Sequence, residues 1–174
     1  MIKTQRCHRL WRSFVGGSGR RQIMNICRGV TVYHGSGKIA PTIMDILTKR
    51  FDQGQRTHLF VPDETRLKAL DDYLWKAPKE GFLPHHVAPG DETDPIILGA
   101  DEQVLLDHCQ DALLLLGPVD NLLQRLHGEA ILVFTEDDQS CRQYARELWR
   151  ACAQARLPKH YYRQDSHGGW SVAG

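Results

Sequence analysis

Residues Ala130–Arg156, AILVFTEDDQSCRQYARELWRACAQAR, join an apolar run to a long amphipathic segment. The run Ala130–Phe134 is short and continuously apolar, as a buried parallel strand is. The acids Glu136, Asp137 and Asp138 follow it and suit the positive end of a helix dipole. No Gly or Pro then intervenes before Pro158, which predicts a helix of four to five turns within Thr135–Arg156. At 3.6 residues per turn, Cys141, Tyr144, Ala145, Leu148, Cys152 and Ala155 form a mostly apolar stripe, the core face. Arg142, Arg146, Trp149 and Arg150 share a different face. Three guanidiniums around an indole admit two readings. One is a solvated charged face with Trp149 half covered by arginine stems. The other is a docking site for an acidic, aromatic-ended peptide, since Arg offers forked donors to carboxylates and Arg with Trp is the usual make-up of an interface anchor.

Working back toward the N terminus, the same strand-then-helix alternation recurs. Val30–His34 (VTVYH) is a β-branched strand that ends in the turn Gly35-Ser36-Gly37. A helix is expected from about Pro41 to a stop at Gly54, burying Ile43, Ile46, Leu47 and Phe51. His58–Val61 is a second strand, and Asp63 is placed to cap a helix over roughly Glu64–Lys76. That helix is expected to bury Leu67, Leu70 and Leu74, with Trp75 at its end a further candidate for burial. Residues 77–94 are rich in Pro and Gly and read as a loop. Ile96–Leu98 is a third strand, and Val104–Leu106 reads as irregular. Then come strand Ala112–Leu116, a short helix over Val119–Leu126, and the opening strand and helix. Lys159–Arg163 (KHYYR) is expected to be a last, edge strand. The alternation implies one α/β domain of three layers, α/β/α, with an open, mainly parallel sheet.

Composition sets outer limits. A chain of 174 residues that is 41% hydrophobic and 25% charged buries a core without disulfides or metal. No apolar run approaches the ~20 residues of a membrane span. The five cysteines, Cys7, Cys27, Cys109, Cys141 and Cys152, are scattered and include no CxxC pair, which fits a reducing cytosol. The formal charge of +1 hides a split: residues 1–23 hold six basic residues and no acid, and the rest has 16 basic against 21 acidic residues. A domain of net charge −5 is a poor general binder of DNA, so nucleic acid is expected only indirectly. Residues 1–23 lack the continuous apolar core of a secretory signal. They are expected to be a disordered extension ahead of a domain over 24–174, with Met24 as a plausible true start.

Motifs for chemistry are weak. Gly35-Ser36-Gly37-Lys38-Ile39-Ala40 formally matches the dinucleotide fingerprint, and a nucleotide-binding enzyme using this loop is the alternative reading. Pro41 closes the loop at once, however, and the next acid after a strand, Asp63, lies beyond the usual spacing. Ile39 stands where a Walker loop has Ser or Thr. His85-His86 and His108-Cys109 are adjacent pairs with no third ligand placed by spacing, so no metal site is expected. No catalytic residue or cofactor is expected either.

Two blocks resemble a known family. Leu67–His85, LKALDDYLWKAPKEGFLPH, resembles the conserved block of the chi subunit of bacterial DNA polymerase III: a helix ending in Leu-Trp, then a loop to Phe-x-Pro-His. The matching positions are Leu70, Asp71, Leu74, Trp75, Phe82, Pro84 and His85. Ile131–Trp170 resembles that family's terminal strand, long helix and final Trp-bearing strand, and the tail Tyr162–Trp170 is most similar to alphaproteobacterial members. The resemblance implies a non-catalytic, cytoplasmic accessory subunit of the clamp-loader assembly in DNA replication. It implies a grip on the acidic C-terminal tail of single-stranded DNA-binding protein through Arg142, Arg146, Trp149 and Arg150, with Trp75 contributing. It places Phe82 where a psi subunit or a helicase is contacted. Residues 1–23 have no counterpart in the family.

Overall fold

The computed structural model describes residues 27–76, 82–89, 91, 93–109 and 111–173. The proposed N-terminal extension therefore lies outside the described residues. The elements are β1 (Cys27–Gly35), α1 (Ala40–Asp52), β2 (Thr57–Phe60), α2 (Glu64–Lys76), β3 (His86–Val87), β4 (Ile96–Gly99), α3 (Glu102–His108), β5 (Ala112–Leu115), α4 (Leu122–Arg125), β6 (Gly128–Thr135), α5 (Gln139–Ala155), β7 (Lys159–Gln164) and β8 (Trp170–Val172). All the strands join one sheet in the order β3-β4-β2-β5-β6-β1-β7-β8. Every pairing is parallel except β7 with β8.

Alternation along the strands divides the core into two layers. Ala130, Leu132 and Phe134 of β6 face one side, where they pack with Leu105, Leu122, Cys141, Ala145, Leu148 and Cys152 of α3, α4 and α5. Ile131 and Val133 face the other side and pack with Ile43, Leu47, Leu67, Leu70 and Leu74 of α1 and α2. The expected three-layer α/β domain is the architecture found. β2, β4 and β5 are buried throughout, which is why β4 and β5 read as apolar runs, while β2 also buries Thr57 and His58.

The helix boundaries follow the local chemistry. Asp63 Oδ1 accepts from the Arg66 amide at 2.6 Å at the start of α2. Asp101 does the same for Gln103 and Val104 at α3. Asp138 is the N-cap of α5, accepting from the Cys141 amide at 2.9 Å. The helix closes at Arg156 in the left-handed conformation, φ 56°, two residues before Pro158.

Three expectations need correction. Lys159–Gln164 is not an edge strand: it lies between β1 and β8, and Trp170–Val172 forms the edge. The Gln164–Asp165 region turns the chain back, with Asp165 Oδ1 accepting from the His167 and Gly169 amides. The loop over residues 77–94 contains the two-residue strand β3, too short to give a periodic signal. Residues 102–108 are a capped helix and not an irregular patch; only Leu105 and Leu106 are buried, too few to show a stripe.

Candidate functional site

The basic face of α5 lines a cleft. α5 lies over β1 and β6, and β7 with β8 extends the sheet beyond it. β7 can approach β1 because Gly29 lets the backbones close up: a Cβ there would sit 3.1 Å from the Pro158 carbonyl oxygen, which accepts from the Val30 amide at 3.0 Å. The space left between helix and sheet is a cleft of about 680 Å³, lined by His34, Glu136, Arg142, Ala145, Arg146, Trp149, Arg150, Tyr161, Arg163 and Ala173. The four residues expected from α5 are thus brought together, on one wall.

Trp149 is half-buried and held from two sides. Tyr161 meets it edge-to-face at 5.9 Å and 88°, and Lys159 Nζ lies 4.1 Å from the ring centre. Arg142 is half-buried, and one of its terminal nitrogens donates to the Glu136 carbonyl; its Nε is buried with no hydrogen-bond partner among the described residues. Arg146 and Arg150 are exposed, and no ion pair holds either among the described residues. At the end of the cleft Arg163 pairs with Glu136 at 2.9 Å, which holds the Glu136 carboxyl below its ordinary range.

His34 forms the floor. Its ring stacks on Phe134 at 4.7 Å and meets the Tyr161 edge. Nδ1 is 3.0 Å from the Tyr161 hydroxyl, whereas Nε2 is buried with no hydrogen-bond partner among the described residues. Burial first, then the charge of Arg163, pushes the imidazole below the ordinary histidine value, so it is neutral at pH 7.

Sequence reasoning missed His34, Lys159, Tyr161 and Arg163. A signal for three of them was present: in KHYYR, a period of two puts Lys159, Tyr161 and Arg163 on one side of the strand. What was missing was knowledge that this side meets α5.

Trp75 is not part of this cleft. It sits at the end of α2, in the other helical layer, and is 53% exposed. Its ring lies 5.5 Å from Phe82 and 4.6 Å from His85. Phe82 is 63% exposed, so Trp75 and Phe82 form a second, apolar surface across the sheet from the arginines. His85 anchors it, with Nδ1 donating to the Leu83 carbonyl at 2.7 Å and Nε2 3.4 Å from Asp71.

The other motifs behave as ordinary structure. The Ser36 amide donates to Gln164 Oε1 and the Ser36 hydroxyl to the Asp165 carbonyl, so donors a phosphate would need are engaged by the chain itself. A Cβ on Gly37 would meet nothing within 4 Å, so that glycine serves no close approach within the chain. Among the described residues, no group of three or more His, Cys, Asp or Glu is placed to hold a metal ion. Burial pushes the Cys109 and Cys141 thiols up to about 12 and Cys152 to about 11, which suits core packing and not nucleophilic chemistry. Among the described residues no helix is long and apolar enough to cross a membrane.

Comparison with known proteins gives the family. Residues 29–160 match the family described as DNA polymerase III chi subunit, HolC. The DNA polymerase III subunit chi of Pseudomonas aeruginosa is 37% identical over 54 residues, covering 31% of this chain and 38% of that protein. That of Escherichia coli is 31% identical over 58 residues, covering 33% of this chain and 40% of that protein. These alignments thus span about two fifths of the length of the curated relatives. Among solved structures, domain 2 of the Mss116p DEAD-box helicase bound to an RNA duplex has a TM-score of 0.47 and 15% identity, covering 79% of this chain and 65% of that one. A likeness of that degree carries no argument about function. The family match spans both helical layers and the sheet from β1 into β7, and it includes the Trp75–Phe82 surface and all of α5: the chain belongs to the DNA polymerase III chi subunit family.

Proposed function

We propose that the protein is a non-catalytic accessory subunit of the DNA polymerase III holoenzyme that docks the acidic C-terminal tail of single-stranded DNA-binding protein in the α5–β7 cleft. The observation that carries this reading is the convergence of Arg142, Arg146 and Arg150 with Trp149 and Tyr161 around one groove on an otherwise acidic domain. Acidic side chains pair with the exposed guanidiniums, and an apolar terminal residue packs on the Trp149–Tyr161 corner. Opposite charges speed encounter and set orientation, and they weaken with salt. The clamp-loader linkage belongs to this proposal.

The Trp75–Phe82 surface suits a different partner. Its rings are apolar, exposed and outside the arginine cleft, which fits a psi-like subunit or a helicase and not an anionic tail. Trp75 therefore moves from the tail site to this second site.

The test is binding of purified single-stranded DNA-binding protein with and without its acidic tail, by calorimetry at about 50 and about 300 mM salt. Tail-dependent, salt-weakened binding that Arg146→Ala reduces is expected. Equal binding of the tailless protein would overturn the assignment.

A further inference from the structure

We propose that His34 and Arg142 form a carboxylate-binding subsite on the floor of this cleft, in which His34 takes up a proton as the ligand docks. The proposal rests on tail docking in the same cleft and adds a residue from β1 to it. Two nitrogens carry it. His34 Nε2 and Arg142 Nε are both buried and, among the described residues, without hydrogen-bond partners, and both belong to residues lining the one cleft. His34 is only 8% exposed and is fixed by its stack on Phe134 and its contact with the Tyr161 hydroxyl, so its free nitrogen has a set direction. Buried polar atoms without partners are rare in folded proteins and costly to keep. Two of them around one groove make a site awaiting an acceptor oxygen. Arg142 is tied to the Glu136 carbonyl through a terminal nitrogen, and docking requires its side chain to swing on its stem so that a ligand oxygen reaches both nitrogens.

The groups facing His34 set the sign of the pH effect. From α5 come Arg142, Arg146 and Arg150; from β7 come Tyr161 and Arg163, with Lys159 farther off over the Trp149 ring; from the β6–α5 turn comes Glu136, paired with Arg163. The surroundings are net cationic, and together with burial they keep the imidazole neutral in the free protein. A bound carboxylate reverses this by supplying a counter-charge and an acceptor: with Nδ1 of the neutral ring donating to the Tyr161 oxygen, the proton is taken up at Nε2, which then donates to the carboxylate. Docking is then linked to proton uptake, and affinity rises as pH falls from 8 to 6. Of the other groups with a shifted titration in the cleft, Tyr161 stays neutral in that window because burial raises it, and Glu136 stays ionised because Arg163 holds it low, so the change of charge falls on His34.

The experiment uses the full chain and a short synthetic peptide of aspartates ending in phenylalanine with a free carboxylate. Calorimetry at pH 6, 7 and 8, with the His34 ring nitrogens followed by NMR, gives affinity and protonation together. The wild type is expected to bind about five- to tenfold more tightly at pH 6 than at pH 8, with the Nε2 resonance moving on binding, as a charge-assisted hydrogen bond requires. His34→Phe keeps the stack on Phe134, and its pH profile is expected to be flat. Peptide binding with an unmoved Nε2 resonance and the same profile in His34→Phe would overturn the subsite and leave tail docking standing. No peptide binding at any pH would overturn the docking reading, and this inference with it. The NMR readout on the wild type decides the matter even if His34→Phe folds poorly.

Discussion

Replacing Trp149 with alanine separates a docking residue from a core residue. Trp149 has three attachments: the Tyr161 edge, the Lys159 ammonium and the groove itself. An aromatic pair is worth about 0.5–1.5 kcal/mol beyond area, and a surface cation–π contact about 0.5–1 kcal/mol. Alanine returns roughly half a kcal/mol through helix propensity. The net loss of stability is therefore about 0.5–2 kcal/mol, against the roughly 3–5 kcal/mol expected for a fully buried aromatic such as Phe134. Loss of tail binding as an interface anchor is about 1–3 kcal/mol, or roughly 5- to 150-fold in Kd. Urea unfolding with an unchanged m value measures the first quantity, and calorimetry with the tail peptide the second. Trp149→Phe, which keeps a ring face for the corner with Tyr161, is expected to retain more than half of the binding. A stability loss above about 4 kcal/mol would show that Trp149 is core. Unchanged affinity in both Trp149→Ala and Arg146→Ala would refute the docking face.

Two further outcomes concern the scaffold. Tyr144 donates from its hydroxyl to the Val119 carbonyl at 2.8 Å, tying α5 to the β5–α4 connection, and burial raises its pKa. Tyr144→Phe should cost about 0.5–1.5 kcal/mol in urea unfolding and leave tail affinity unchanged, since the ring stays in place. His58 is buried, with Nδ1 2.8 Å from the Leu105 carbonyl, and burial lowers its pKa in the folded chain. Below the ordinary value of about 6.5 the unfolded chain takes the proton while the folded chain resists, so stability is lost as pH falls through that value. The urea midpoint between pH 7.5 and 5.5 should fall less steeply in His58→Gln than in the wild type; equal slopes would refute the assignment.

The strands and long helices were legible because each carries a complete local signal. α5 shows acids at its start, no breaker, a buried stripe and a proline beyond its end, and it forms where those signs place it. β3 and α3 were not legible: a two-residue strand has no period, and two buried leucines make no stripe. In the site, the four α5 residues were legible because a helix fixes its own faces. Which strand faces them is a matter of topology, and no local pattern reports that β7 enters beside β1. For that reason Tyr161 and His34 went unseen. Trp75, expected with the arginines, lies in the other helical layer, and nothing in its neighbourhood says which side of the sheet α2 covers.

The position of β1 has a consequence for how the chain comes to be folded. It is the first described strand, yet its two neighbours in the sheet are β6 and β7, about a hundred and more residues later. During synthesis it emerges early and has neither partner until most of the chain has left the ribosome, so its unpaired backbone edges and apolar side chains need protection for that interval. Such distant pairings are slow to close. The cleft, whose floor is on β1 and whose walls are α5 and β7, is completed only with the last of these pairings. A nascent chain therefore has no such cleft before the sheet it belongs to is nearly whole.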